Sequence, residues 1–334
     1  MENYDFELGR VKREIIRRKA KRVLVQLPNG FKKFSKWIIE ELEGVAEMFI
    51  SASHTWGPCD VDFKGAKTIG ADLILHFGHH PRTGYGKKYG VDVIFIPVFY
   101  LGKVYRGVKE VIELLEGYQR VGLVASVQHV KALDELKNSL EEAGIEAQIG
   151  IPREPTMFKG QVLGCDYSAA LSLADKVSAY VCVAGGLFHS LGLALTVNKK
   201  VIALDPYRDR AKDITIEREK FIRKRMYKLM EAMEARYFAI VVSTKVGQYD
   251  LYSALRIRSA LKEKGLRSEI ILTDEVDAEK LMDLMWPDAI IITACPRISI
   301  DHMDNYPIPL INKGEVKYLL KGDLSSYDPV DALK

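Results

Sequence analysis

The chain has 334 residues, 48% of them apolar and 28% charged with both signs interspersed, so it is long enough for two or three domains with cores of their own and is not a disordered polymer. A formal net charge of +4 gives no argument for a nucleic-acid partner, although a weakly basic face could steer an acidic protein. No stretch approaches the ~20 apolar residues of a membrane span. The charged start MENYDFELGRVKREIIRRKAKR has no apolar signal-peptide core, so the expectation is a cytoplasmic protein with no membrane partner.

Short β-branched runs alternate with amphipathic stretches, the pattern of βαβ units and a parallel sheet. KRVLVQLPNGF (21–31) predicts a strand closed by Pro28 and Gly30, and FKKFSKWIIEELEGV (31–45) a helix. AEMFISA (46–52), ADLILHFGHH (71–80) and VDVIFIPV (91–98) are the next strands. A second block repeats the order: strand QRVGLVAS (119–126), helix VKALDELKNSLEEAG (130–144), then strands EAQIGIP (146–152), VSAYVCVAGG (177–186) and KKVIALDP (199–206). A charge-rich connecting helix (214–235) leads to a third: strand YFAIVVSTKVGQ (237–248), helix YDLYSALRIRSALKEKG (249–265), then strands RSEIILTD (267–274), PDAIIITACPRIS (287–299) and IPLINKGE (308–315). The expected fold is therefore α/β, with three repeated domains at 1–104, 105–210 and 211–334, each a small parallel sheet flanked by helices.

Four cysteines are present, with no CxxC pair, so zinc ribbons and thioredoxin-like sites are disfavoured, and a reducing cytosol disfavours disulfides. Cys59, Cys165 and Cys295 fall one per block, beyond the carboxyl ends of strands and beside Pro58, Gly164 and Pro296. That edge is where open α/β sheets bind ligands. Cys182 differs, since it lies inside the apolar run AYVCVA and reads as a core thiol. Three converging thiolates suit three irons of a cubane and leave the fourth without a protein ligand, an open position like that of catalytic zinc. Zinc on three thiolates, or four inert buried thiols, are the alternatives that the residues leave open.

The segments SHTWGPCDVD, LHFGHH, GQVLGC, GLFHS and ACPRISID, in this order, resemble the diphthamide synthase family across almost the whole chain. In one departure His80 stands where that pattern has a small or thiol residue. The resemblance implies three α/β domains arranged around a central [4Fe–4S] cluster on Cys59, Cys165 and Cys295, and a homodimer as in the archaeal members. It also implies S-adenosylmethionine as cosubstrate and translation elongation factor 2 as partner. The implied reaction is radical transfer of a 3-amino-3-carboxypropyl group to a histidine C2 carbon of that factor.

Such a cosubstrate needs positioning. The turn STKVGQ offers Lys245, Gly247 and Gln248 beside a helix start, where backbone N–H groups suit a carboxylate. GGLFHS offers close backbone approach at Gly185 and Gly186 and a polar tip at His189. An ordinary turn and a structural histidine are the plainer readings of the same residues. Quinolinate synthase, also three-domain with three cysteines and an open iron, is the rival enzyme class, and a non-catalytic three-domain binding module the rival outside enzymes. Neither GxGxxG nor GxxxxGK[ST] occurs at a strand–helix junction, which weakens a nucleotide-binding reading.

Overall fold

Each predicted run becomes a shorter strand, and the central strands Arg22–Gln26, Leu73–Phe77, Arg120–Ala125 and Ala179–Val183 are buried almost throughout because a parallel sheet is covered on both faces. A computed structural model describes residues 3–80, 89–154 and 157–334. In the first sheet the order across is Glu47–Ile50, Arg22–Gln26, Leu73–Phe77, Asp92–Ile96, every pair parallel. In the second, Arg120–Ala125 pairs in parallel with Glu146–Ile149 and Ala179–Val183, and Lys200–Asp205 and Arg210–Asp213 extend it. The third runs Arg267–Thr273, Tyr237–Ser243, Ala289–Ile292, Leu310–Asn312, again all parallel. Numbered along the chain, all three sheets share the strand order 2-1-3-4, the second adding a fifth strand. This order reverses between strands 1 and 3, and open α/β sheets bind ligands beyond the carboxyl ends of strands at such a reversal.

The contacts of the chain divide it into two compact units. One comprises Met1–Val162, Ser168–Gly186 and Ile202–Lys212 and contains most of the first and second sheets; the other comprises Leu163–Tyr167, Leu187–Val201 and Asp213–Lys334 and contains the third. Cys59 belongs to the former, Cys165 and Cys295 to the latter. Apolar clusters around Val25, Leu75 and Ile96, around Leu123, Val181 and Leu140, and around Ile240 and Ile291 form the cores of the three sheets.

Several elements differ from the sequence reading. The helix expected over 31–45 starts as a 3₁₀ turn, Asn29–Phe34, before the α-helix Ser35–Glu41, and the one over 130–144 likewise as Val127–Ala132 before Leu133–Glu142. Tight 3₁₀ turns are common at helix starts. The charged N-terminus contains a helix, Leu8–Arg18, that buries Val11 and Ile15; this four-residue apolar spacing is masked by the basic residues around it. Ahead of it Tyr4–Asp5 pairs antiparallel with Phe99–Tyr100.

Candidate metal centre

Cys59 is half-buried in the segment that leaves the second strand of the first sheet. Both ends of this segment are tied down. Ser51 continues the strand pairing by donating its N–H to Val25 O at 2.9 Å. At the far end Asp62 caps the helix Phe63–Ile69, accepting from Gly65 N–H at 2.7 Å and from the Ser51 hydroxyl at 2.7 Å. Asp60, the residue after the cysteine, is buried and accepts from Trp56 N–H at 3.2 Å. Asp60 thus ties the loop at Trp56, while Asp62 caps the helix that follows.

Cys165 is exposed, on a turn closed by the Leu163 N–H to Asp166 O bond at 2.9 Å. Cys295 is half-buried, three residues past the strand Ala289–Ile292. Arg297 joins these two places. The residue is 4% exposed, and its guanidinium forks onto Asp301 at 2.9 and 2.7 Å, donates to Phe188 O at 2.9 Å, and lies 3.9 Å from the Phe188 ring centroid. A Cβ on Gly164, the residue before Cys165, would stand 3.3 Å from the Arg297 side chain and 2.6 Å from the Phe188 ring. A Cβ on Gly192, in the helix Phe188–Thr196, would stand 1.9 Å from the Tyr167 hydroxyl and 2.7 Å from Arg297 Nη1, so any larger residue there has to displace one of these side chains. Nη1 of Arg297 is buried, and no described residue accepts from it. A buried cation with a spare donor between two cysteine-bearing turns suits an anionic group held by thiolates.

Cys182 lies at the centre of the strand Ala179–Val183, fully buried, and burial pushes its thiol up to about 12. It stays protonated and apolar at neutral pH. Among the described residues no three His, Cys, Asp or Glu side chains are grouped around one metal position.

Lys245 follows the strand Tyr237–Ser243 and pairs with Glu275 at 2.7 Å, and Gln248 N–H donates to Lys245 O at 3.0 Å, so Gly247 lies inside a closed turn. The helix begins only at Leu251, where Asp250 caps it through Ser253 N–H at 3.0 Å and meets Lys313 at 2.5 Å. In this structure the chain's own carboxylates therefore occupy the positive positions of that turn. A Cβ on Gly185 would stand 2.5 Å from the Tyr207 ring, and Gly186, with φ +64, donates its N–H to Asp205 at 3.0 Å. His189 is half-buried in the first turn of its helix, edge-on to Phe188. In the motif HFGHHPR, Pro81 and Arg82 lie outside the described residues.

Sequence reasoning gave no role to Gln26, His76 or Arg297, three buried polar residues on or next to the cysteine-bearing segments. The signal was there: Gln26 and His76 are polar residues that interrupt apolar strands, and Arg297 sits in the ACPRIS segment with no role assigned to its charge.

Three like-ordered α/β sheets, with a cysteine beyond a strand edge in each sequence block, define a three-sheet α/β protein with cysteine-bearing turns. Residues 27–328 match the family model described as "Putative diphthamide synthesis protein". The chain is 34% identical over 321 residues to 2-(3-amino-3-carboxypropyl)histidine synthase of Pyrococcus horikoshii, covering 95% of this chain and 91% of that one. It is 26% identical to subunit 1 of the Homo sapiens enzyme of the same name, covering 98% and 74%. Among solved structures, Dph2 from Pyrococcus horikoshii with a 4Fe-4S cluster superposes with a TM-score of 0.84 at 32% identity, covering 98% of this chain and 93% of that one. The chain belongs to the diphthamide synthesis family.

Proposed function

We propose that this chain is a 2-(3-amino-3-carboxypropyl)histidine synthase and catalyses the first step of diphthamide formation. It transfers the 3-amino-3-carboxypropyl group of S-adenosylmethionine to the C2 carbon of a histidine on translation elongation factor 2. The carrying observation is full-length similarity to a protein whose structure holds a 4Fe-4S cluster, in a chain with cysteine-bearing turns at carboxyl strand edges.

Cys59, Cys165 and Cys295 are the proposed cluster ligands, and three thiolates leave one iron open for the cosubstrate. When bound, the cluster supplies the electron that opens the Cγ–S bond, with methylthioadenosine leaving. The chain's own part is placement. The capped ends of the Cys59 segment and the Arg297 clamp on the turns of Cys165 and Cys295 hold the thiols in defined positions, and spare donors such as Arg297 Nη1 favour negative charge there. Lys245, Gly247, Gln248, Gly185, Gly186 and His189 are the candidate contacts to the cosubstrate; a carboxylate reaching Lys245 competes with Glu275 for it. The protein works in the cytoplasm, as a homodimer. No helix among the described residues is long and apolar enough to cross a membrane.

Anaerobic reconstitution with iron and sulfide tests this reading, followed by reduction and incubation with S-adenosylmethionine and the elongation factor. The expected result is a brown protein that releases methylthioadenosine and adds one aminocarboxypropyl group to the factor. Colourless protein, or quinolinate formed from iminoaspartate and dihydroxyacetone phosphate instead, sinks it.

A further inference from the structure

At the carboxyl end of the first sheet, strands 1 and 3 lie side by side where the strand order reverses, and each carries a buried polar residue there. Gln26 and His76 are partners in register, and neither is exposed. The Gln26 side-chain amide spans the segment that follows Cys59, donating from Nε2 to Asp60 O at 2.7 Å and accepting the Asp62 N–H on Oε1 at 3.1 Å. One backbone partner only accepts and the other only donates, so the amide cannot be turned over. The remaining contact of Oε1 is with His76 Nδ1 at 3.0 Å, and because Oε1 is an acceptor, Nδ1 must carry the proton. A neutral ring protonated at Nδ1 is bare at Nε2. His76 Nε2 faces His79 Nδ1 at 2.9 Å, so His79 Nδ1 is the donor and His79 Nε2 is bare in turn. Burial keeps both rings neutral, His76 well below its usual value, pushed the same way by His79, and His79 at about 4. No described residue donates to His79 Nε2, and the residue is only half-buried.

We propose that Gln26, His76 and His79 form a positioning relay of fixed polarity: its inner end holds the Cys59 segment, and its outer end presents His79 Nε2 as a hydrogen-bond acceptor for the imidazole N–H of the target histidine. This occupant rests on the proposed function; the relay does not. The logic is that an imidazole has to be held with C2 facing the incoming carbon, and a ring acceptor on one of its N–H groups sets that angle. An acceptor that could turn into a donor would also hold the wrong tautomer, and the backbone of residues 60 and 62 prevents this through Gln26.

Three measurements test it. In ¹⁵N-histidine-labelled protein, the ring correlations of His76 and His79 should show a proton on Nδ1 and none on Nε2 at neutral pH; the opposite tautomer on either ring overturns the relay. His79→Asn keeps a donor near the Nδ1 position and removes the acceptor, whereas His79→Gln places an amide oxygen near the Nε2 position. Both should load iron as the wild type does. His79→Asn should raise KM for the elongation factor by about 3- to 10-fold, the loss of one neutral hydrogen bond, and His79→Gln should recover part of that. Equal KM values for wild type and His79→Asn remove the proposed occupant. Gln26→Leu should lower iron retention; unchanged retention removes the link to the Cys59 segment. If the wild-type protein leaves the elongation factor unmodified, the function and the occupant fall together, and the tautomers still decide the relay.

Discussion

Replacing Arg225 by Met should cost the third-sheet unit about 3–5 kcal/mol, the range for breaking a buried ion pair on one side. Neither Arg225 nor Glu315 is exposed. The guanidinium donates from Nε to Glu315 Oε1 at 2.7 Å and from Nη2 to Oε2, and also reaches Leu310 O at 2.6 Å and Ser299 O at 3.2 Å. Without it, Glu315 keeps Asn312 N–H at 2.9 Å and the Tyr327 hydroxyl at 3.1 Å, too little to hold a full charge away from water. Two carbonyls also lose a donor. Such a loss is a large part of the 5–15 kcal/mol that stabilises a typical protein. Trp286, packed 4.5 Å from the Tyr237 ring and in the same unit, reports unfolding in urea once Trp37 and Trp56 are replaced by Phe. The double variant Arg225→Met/Glu315→Gln should regain part of the loss, because the stranded charge is gone. A loss below about 1 kcal/mol for Arg225→Met, or no gain in the double variant, refutes the buried-pair reasoning. Because Ser299 O and, through Asn312 at 2.9 Å, Pro296 O belong to the segment after Cys295, the single variant should also hold less iron.

Cys59→Ala, Cys165→Ala and Cys295→Ala should each lose iron after anaerobic reconstitution, whereas Cys182→Ala should keep it; equal iron in all four contradicts the ligand assignment. His129 is buried and its ring is driven from 6.5 to about 4 by that burial. It is neutral when folded and protonated when unfolded between those values, so stability is full above about 6.5 and falls as the pH drops towards 4, by up to about 3 kcal/mol. His129→Phe should flatten the acid side of a plot of urea midpoint against pH relative to wild type. Gly192→Ala should lower the melting temperature and loosen Arg297, since its Cβ would overlap Tyr167 and the guanidinium. A variant as stable as wild type, with wild-type iron content, would show that the helix can shift.

The strands were legible because a parallel strand is a local statement: VLV, GLVA and AIVV are continuous runs without a polar side chain, too short for a helix. The cysteines were legible only as lying beyond strand ends, Cys295 three residues past Ile292, Cys59 nine past Ile50 and Cys165 sixteen past Ile149. The helix Leu8–Arg18 was not, since its buried face is two residues, Val11 and Ile15, among six charged ones from Arg10 to Arg18. The turn at Lys245 shows the opposite limit. Its glycine and lysine were visible, but Glu275, thirty positions along, had no local mark as the partner of that charge.

The amino-acid order by itself determined which segments are strands, that the pattern comes three times, and that three cysteines stand at edges while Cys182 is internal. These follow from apolar periodicity and turn residues, which act over a few neighbours. Tertiary structure alone decided who meets whom: His76 and Gln26 across 50 positions, Arg297 and Phe188 across 109, Arg225 and Glu315 across 90. A hydrogen bond is satisfied by whichever donor and acceptor the packed chain brings within 3 Å or so, and buried groups cannot wait for water. Polarity in an apolar run signals that a partner exists; its identity is settled only when the sheets close.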